Sequence, residues 1–367
     1  MAPQLEVQLI AVIIAAACAL PGVFLVLRRM AMLSDAISHT VLLGIVLGYL
    51  ASNSLSSPLL FAGAVAMGVI TVWLVEMVSG SRLVREDAAI GLVFPALFSL
   101  AVLLISRYAG NTHLDADSVL LGELAFAPFD RIELWGLDLP RALIFGSGAL
   151  ALNTILLMLF YKELKLATFD PALAATLGFA PTIIHYGLMT CVSLTAVTAF
   201  DAVGSILVIA LMVAPPATAY LLTDRLPRMI GLSVAIGALS ALSGYWLARL
   251  FDVSIAGAMA TMAGIGFGAA WLLAPQRGII AQALQHRSRR EQFAVQMLAL
   301  HLLNHEGAGD AGIECHPRHL IEELRWQPAF ANAIVRRAEQ SGLVQRQGDV
   351  LCLTEAGRAL ARAASVQ

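Results

Sequence analysis

Charged residues are scarce in this chain of 367 residues: Asp, Glu, Lys and Arg together make up 13% of it, whereas 59% is hydrophobic. Charged residues form about a quarter of an ordinary soluble domain, so the composition excludes that class. The formal net charge is only −2, which leaves no overall field that would attract nucleic acid. The composition therefore predicts a polytopic membrane protein.

Two kinds of motif are also missing. The four cysteines form no CxxC pair and are far apart, which argues against a zinc ribbon and against a disulfide framework. No GxxxxGK[ST] phosphate-binding loop occurs. Any work driven by ATP would therefore require a separate subunit.

Long apolar runs recur along the first three quarters of the chain. A helix needs about 20 residues to cross a bilayer. The runs predict nine crossings, near 5–27, 33–50, 59–78, 88–105, 142–160, 182–199, 203–222, 229–247 and 255–273. The fold class is thus all-α and membrane-spanning.

Basic residues between the runs predict the orientation, because cytoplasmic loops are richer in Lys and Arg. With the N-terminus outside, the outer loops receive four basic residues and the inner loops receive eight, namely Arg28, Arg29, Arg82, Arg85, Lys162, Lys165, Arg225 and Arg228. The sequence therefore predicts a membrane protein with its N-terminus outside and its region after Pro275 in the cytoplasm. The family resemblance described below implies that this is the inner membrane.

The composition changes after Pro275, where the chain becomes polar and carries eleven Arg and nine Asp plus Glu. Residues 1–274 are predicted to be a membrane domain, 275–285 a linker and 286–367 a small cytoplasmic domain. Three stretches of helical periodicity, including "HPRHLIEELRW", precede two β-prone runs around Gly348. Helices followed by a hairpin indicate a winged helix-turn-helix of the α+β class.

A carboxylate and an imidazole, Asp35 and His39, interrupt the second apolar run in "MLSDAISHTVLLGI". Residues four apart lie on one face of a helix, so both side chains could bind one cation. A hard oxygen with a borderline nitrogen suits Mn²⁺, Zn²⁺ or Fe²⁺ better than Mg²⁺ or Ca²⁺. Because ionisable residues in membrane segments are costly and mark pathways, the pair predicts a path for such an ion. The alternative is that Asp35 caps a helix starting near Ser34 and that His39 bonds a backbone carbonyl.

Two other ionisable residues adjoin apolar runs. Asp201 is interpreted as an exposed turn residue or, alternatively, as an additional path residue. His185, beside Tyr186 at the start of its run, is predicted to anchor the helix at the membrane interface rather than to bind metal.

The stretch "FDPALAATLGF" predicts a short helix between two crossings. Asp170 is its N-cap, Pro171 its first residue and Gly178 its end. Small residues such as Ala174 fill it. Because such a helix has no membrane in which to bury its side chains, it is predicted to dock on a cytoplasmic partner, although a capped surface helix that contacts nothing remains open.

Prolines and glycines supply weaker signals. Pro215 and Pro216 indicate a bent helix that lines a route through the protein, or a kink without function. Gly44 with Gly48, and Gly264 with Gly268, form GxxxG pairs that permit close helix packing, but chance matches are expected among 29 glycines.

Three motifs in order, "LRRMAMLSDAISHTVLLGI", "FDPALAATLGF" and "DAVGSILVIALMVAPPATA", resemble the membrane subunit of ABC-type manganese, zinc and iron importers, the ABC-3 metal permease family. The resemblance covers about residues 5–273. Many relatives have proline at the position of Leu43, so the helix beyond His39 is expected to be straighter here.

The resemblance implies a permease without enzymatic activity or a permanently bound cofactor, which carries a divalent metal ion as cargo. It implies that Asp35 and His39 contribute to the metal path and that Asp170, Pro171, Ala174 and Gly178 belong to a coupling helix. The implied partners are an ABC ATPase dimer, a second permease subunit, an external metal-binding protein and membrane lipid.

The tail resembles the winged-helix domain of iron- and manganese-responsive repressors. Its candidate recognition stretch offers only Arg336 and Arg337 against Glu339, so protein contact is predicted and DNA binding is not. His301, His305, Cys315, His316 and His319 could sense metal, or they could form a solvated face. Two alternative functions for the chain are a siderophore or cobalamin permease and a membrane-tethered metal-responsive regulator.

Overall fold

The computed structural model describes residues 3–54, 57–81, 83–108, 124–134, 137–306, 315–316, 324–348 and 350–365. The chain divides into two compact units, Met1–Gly278 and Ile279–Gln367. The predicted stretch "HPRHLIEELRW" lies mostly outside the described residues, as does much of the loop between the fourth and fifth crossings.

Nine described helices of the first unit are long and apolar enough to cross a membrane, which confirms the predicted number of crossings. They are α1 Pro3–Leu27, α2 Ala31–Ser52, α3 Pro58–Gly80, α4 Glu86–Tyr108, α5 Arg141–Leu159, α8 Pro181–Val203, α9 Ser205–Leu222, α10 Leu226–Phe251 and α11 Ile255–Leu273. Two short helices, α6 Tyr161–Phe169 and α7 Pro171–Thr176, lie between α5 and α8. The hairpin β1 Arg131–Leu134 and β2 Leu137–Pro140 precedes α5.

Helix α1 lies at the centre of this unit, because 78% of the residues in its most apolar 18-residue stretch are buried. It packs against α5, α8, α9 and α10, while α2 packs against α3, α4 and α8. Arg131 ties the β1–β2 hairpin to the first turns of α1, because its Nη1 lies 3.2 Å from Glu6 Oε2. The unit is therefore built from two helix groups that meet at α1, α2 and α8.

Close backbone contacts join α2 to α3. A Cβ built at Gly44 would overlap the Gly63 carbonyl, and one at Gly48 would lie 2.6 Å from the Leu59 carbonyl oxygen. The first GxxxG pair thus permits real helix packing. At Gly264 and Gly268, by contrast, no described atom lies within 4 Å of a built Cβ.

Pro215 and Pro216 are buried inside α9, which continues through both. Proline removes the hydrogen bond to the carbonyl four residues earlier, so Pro216 frees the Met212 carbonyl. Gly22 of α1 packs directly on that carbonyl, and a Cβ there would overlap it. The proline pair is therefore part of the packed interface with α1.

The second unit contains α12 Ile279–His305, α13 Pro328–Gln340, the antiparallel hairpin β3 Val344–Gln347 and β4 Val350–Leu353, and α14 Glu355–Ser365. Helix α12 begins inside the segment predicted as a linker. Gly348 turns the hairpin with a positive φ of 66°. Buried residues from α12, α13, both strands and α14 form one hydrophobic core.

Candidate functional site

Asp35 and His39 lie on one face of α2, with His39 Nε2 3.5 Å from Asp35 Oδ1. Their side chains are 40% and 26% exposed, respectively. The helix starts at Ala31 and its N-cap is Met30, so Asp35 lies in the second turn and does not cap it. The capping interpretation of Asp35 is therefore wrong.

Two aromatic rings of α4 contact the imidazole of His39. The centroid of Phe94 lies 5.1 Å from that of His39, and Phe98 meets His39 edge-on at 6.0 Å. The neighbouring hydroxyls of Ser34 and Ser38 donate hydrogen bonds within α2, to the backbone carbonyl oxygens of Ala31 and Ser34, respectively. The aromatic contacts thus hold the His39 ring in place, while the Asp35 carboxylate remains partly exposed.

The pair does not form a complete metal site by itself. Among the residues that the structure describes, no group of three or more His, Cys, Asp or Glu side chains could hold a metal ion. Two donors leave the rest of a tetrahedral or octahedral shell to other groups. The pair thus offers one oxygen donor and one nitrogen donor on one face of α2.

Asp201 lies away from the pair. It is exposed and belongs to the last turn of α8, which ends at Gly204 with a φ of 77°. Gly68 of α3 faces both Ile37 and Ser193, so these two residues are at one level. Asp201 follows Ser193 by eight residues, or about 12 Å of helical rise. The structure therefore does not bring Asp201 to Asp35 and His39.

Helix α7 starts and ends as its sequence predicts. The Asp170 carboxylate accepts a hydrogen bond of 2.9 Å from the Leu173 backbone N–H, and Pro171 occupies the first helical position. Gly178 follows with a φ of 87°, where a residue with a Cβ would be strained. Ala174 is fully buried, so the helix presses one side against the protein.

The other side of this segment is apolar and exposed. Phe169, Leu173, Leu177 and Phe179 are between 38% and 62% exposed. We call these four residues the apolar corner. A polar surface would be expected for a helix that faces only water, so the apolar corner indicates a partner.

The family comparison bears on this arrangement. The model of the ABC 3 transport family matches residues 4–273. Apart from the first residue of α1, this range includes the nine long apolar helices that the structure describes, together with the Asp35–His39 pair and α7. The chain belongs to this family.

Individual members of the family match over most of their length. The zinc transport system membrane protein TroD of Treponema pallidum is 50% identical over 359 residues, covering 98% of each chain, so the second unit is included. The manganese transport system membrane protein MntD of Bacillus subtilis is 46% identical over 284 residues, covering 77% of this chain and 96% of that protein. Part of this chain therefore has no counterpart in the latter relative.

Among solved structures of similar proteins, PsaBC from Streptococcus pneumoniae in complex with Fab matches with a TM-score of 0.63 and 27% identity. The match covers 76% of this chain and 94% of that one.

A polar cluster that sequence reasoning missed lies where α1 ends. His185 Nε2 lies 2.6 Å from Glu76 Oε1, and Tyr186 Oη donates to Glu76 Oε2 at 2.6 Å. Arg28 contacts the other ring nitrogen of His185, and burial lowers the pKa of the Arg28 guanidinium from its ordinary value. The sequence signal that could have revealed this cluster is Glu76, a lone carboxylate within an apolar run, because a carboxylate in such a place needs a partner. His185 has thus a specific partner beyond the anchoring role predicted for it.

Proposed function

We propose that this chain is the permease subunit of an ATP-driven importer of a divalent transition-metal ion, Mn²⁺, Zn²⁺ or Fe²⁺. The observation that carries the proposal is the Asp35–His39 pair, a partly open carboxylate and imidazole on one face of a membrane-crossing helix. Family membership supports it, since relatives at 50% and 46% identity are named for zinc and manganese transport. This donor set serves all three metals.

The pair acts as a transient station for the ion. A site on a conduction path must bind well enough to admit the ion and weakly enough to release it. Two protein donors, with the remaining ligands from water, backbone or a second permease subunit, meet that requirement. The rings of Phe94 and Phe98 contact the imidazole of His39 and so hold it in position. Asp201, at the exposed end of α8, is not assigned to this station.

Helix α7 is the proposed contact with the ATPase. The apolar corner would be covered by the ATPase subunit, and Asp170, Pro171 and Gly178 define the rigid short helix that presents it. Ala174 anchors that helix to the permease. ATP hydrolysis takes place in the separate ATPase subunit, and its motions reach the permease here.

The remaining partners follow from the same assignment. A second permease subunit, identical or related, completes the path, and an external metal-binding protein delivers the ion. The N-terminus lies outside and the C-terminal unit is cytoplasmic, in the inner membrane.

The C-terminal unit is proposed to be a winged helix that contacts protein. Its α13 helix and its β3–β4 hairpin follow each other as recognition helix and wing would. Arg337 is paired with Glu291, and the Arg290 guanidinium lies 4.7 Å from the Phe330 ring centroid. These two arginines, one of them in the candidate recognition stretch, are engaged inside the unit and are less available to DNA phosphates, which supports a protein partner.

The test measures metal content by mass spectrometry in cells that lack their own importers and express this chain with its ATPase and binding protein. We expect one metal to accumulate with wild type and accumulation to be lost in Asp35→Asn and His39→Ala at equal membrane abundance. Asp252→Asn is the matched control, because Asp252 is an exposed carboxylate with a φ of 53° that Asn also tolerates. Normal accumulation in both site variants would refute the metal-path assignment.

A further inference from the structure

Arg28 connects three parts of the membrane unit. It lies in the short turn between α1 and α2, its Nε donates to Thr168 Oγ1 at 3.2 Å, and its Nη1 lies 3.1 Å from His185 Nδ1. Thr168 belongs to α6 and His185 to α8. One side chain therefore joins the α1–α2 turn, α6 and α8.

His185 extends these contacts to α3. A guanidinium can only donate hydrogen bonds, so Nδ1 of His185 must accept and the ring proton resides on Nε2. Nε2 lies 2.6 Å from Oε1 of the Glu76 carboxylate of α3, and the other oxygen of that carboxylate accepts a hydrogen bond from Tyr186. Arg28 thus favours the tautomer that places the ring N–H beside Glu76. We call Thr168, Arg28, His185, Glu76 and Tyr186 the inner polar chain.

The inner polar chain is partly buried. The His185 side chain is 14% exposed and that of Glu76 is 36% exposed, and Arg28 is half-buried between its partners. Charge-assisted hydrogen bonds at such sites are stronger than those on an open surface, where water and salt weaken them. The contacts are therefore suited to transmit a displacement.

Two members of the inner polar chain, Thr168 and Arg28, adjoin the functional segments. Thr168 precedes the α7 N-cap, Asp170, by two residues, and Arg28 precedes Asp35 by seven residues. The turn beyond Arg28 is tight, because Arg29 has a φ of 61° and α2 starts at Ala31. A shift of α6 and α7 would therefore act on the start of α2 through Arg28.

We propose that Arg28 is a positioning residue that couples movement of α7 to the start of α2, and thus to the Asp35–His39 pair. This inference rests on the proposed function. Arg28 itself contacts neither the ion nor ATP in this role. Breaking its bonds should uncouple ATP hydrolysis from metal movement while leaving both partners bound.

The experiment uses the complete transporter, this chain with its ATPase and binding protein, reconstituted in liposomes. Metal uptake and ATP hydrolysis are measured together for wild type, Arg28→Gln, Arg28→Lys and Thr168→Val. Arg228→Gln is the matched control, because Arg228 is an exposed arginine at the start of α10. We expect hydrolysis to continue while the metal moved per ATP falls about 2- to 30-fold in Arg28→Gln, which corresponds to the coupling energies measured for residues between distant sites. Thr168→Val should show a smaller fall, Arg28→Lys an intermediate one, and Arg228→Gln none.

Three outcomes would overturn the inference. The first is an unchanged ratio of metal moved to ATP hydrolysed in Arg28→Gln, and the second is an equal fall of that ratio in Arg228→Gln. The third is that metal uptake and ATP hydrolysis both fall only as much as the amount of assembled transporter falls. If Arg28→Gln does not reach the membrane, Thr168→Val decides, because it removes only the hydroxyl at nearly constant volume. Failure of the proposed function is distinguishable, because then wild type itself would move no metal, whatever happens at Arg28.

Discussion

Asn153 of α5 donates a hydrogen bond of 3.0 Å from its side-chain Nδ2 to the carbonyl oxygen of Ala17 in α1. Ala17 is four residues before Pro21, and proline cannot supply the N–H that this carbonyl would otherwise accept. Asn153 also donates to Thr195 Oγ1 of α8 at 2.7 Å. A buried amide therefore satisfies the backbone group freed by a proline and joins three helices.

Because of this relationship, the loss of stability caused by replacing Asn153 should depend on whether Pro21 is present. Asn153→Ala should lower the free energy of unfolding by about 1–2 kcal/mol, because a buried carbonyl loses its donor. In a Pro21→Ala background the restored N–H can serve Ala17, so the same substitution should cost less. We expect a coupling of about 0.6 kcal/mol and at most about 1.7 kcal/mol, the mean and the maximum for hydrogen bonds between membrane helices. Unfolding of the four variants in detergent measures it, and strictly additive effects would contradict the interpretation.

Packing of α1 on α9 depends on Gly22. In Gly22→Ala the new methyl group would overlap the Met212 carbonyl, so the two backbones must separate. We expect a loss of about 1–3 kcal/mol, as for other overpacked sites. Gly148→Ala on α5 is the control, because open space surrounds a Cβ there. Thermal unfolding in detergent should separate the two variants, and similar melting temperatures would show that the interface adapts.

The N-cap of α7 should matter for ATPase binding. Asp170→Ala removes the acceptor of the Leu173 N–H and should destabilise this short helix by about 1 kcal/mol, the usual cost of losing a cap. Asp170→Asn keeps a capping oxygen and is the matched control. We expect less ATPase to co-purify with the Ala variant than with the Asn variant. Equal losses in both would assign the effect to the carboxylate charge instead of the cap.

In the C-terminal unit, Arg358 binds both carboxylate oxygens of Glu306, at 2.9 and 2.6 Å. This hydrogen bonding holds the pKa of the Glu306 carboxyl below its ordinary value. A lowered pKa in the folded state means that the stabilisation is present above the unfolded pKa and is lost as pH falls through the folded pKa.

Glu306→Gln should therefore speed amide hydrogen exchange in α14 of the full chain at neutral pH, and the difference from wild type should vanish in acid. The pair is partly exposed, so the effect should also shrink with added salt. Glu339→Gln on α13 serves as the control. A difference that persists unchanged into acid would mean that the carboxylate charge is not responsible.

Local features of the fold were predictable from the residues. The nine crossings, the Asp170 cap with Pro171, and the Gly178 end of α7 all depend on short stretches of chain, and the structure has them in place. The boundary between the sixth and seventh runs was less accurate. Asp201 was assigned to a turn, but α8 continues through it and breaks only at Gly204, whose positive φ permits the change of direction.

Contacts between distant helices were not predictable in the same way. Glu76 and His185 are 109 positions apart in the chain, and nothing in either neighbourhood names the other. The two GxxxG pairs look alike in sequence, yet only Gly44 and Gly48 meet a neighbouring backbone within the described chain.

The amino-acid sequence alone thus determined the membrane class, the number of long apolar helices, the ends of α7 and the position of Asp35 and His39 on one helix face. Tertiary structure decided which helix covers each freed carbonyl, how Arg28 reaches Thr168 and His185, and that Asp201 lies apart from Asp35 and His39. The physical reason is that lipid and protein interior are both apolar. In a membrane helix the hydrophobic pattern therefore scarcely distinguishes the face that packs from the face that meets lipid, and only close packing and hydrogen bonds select the partner.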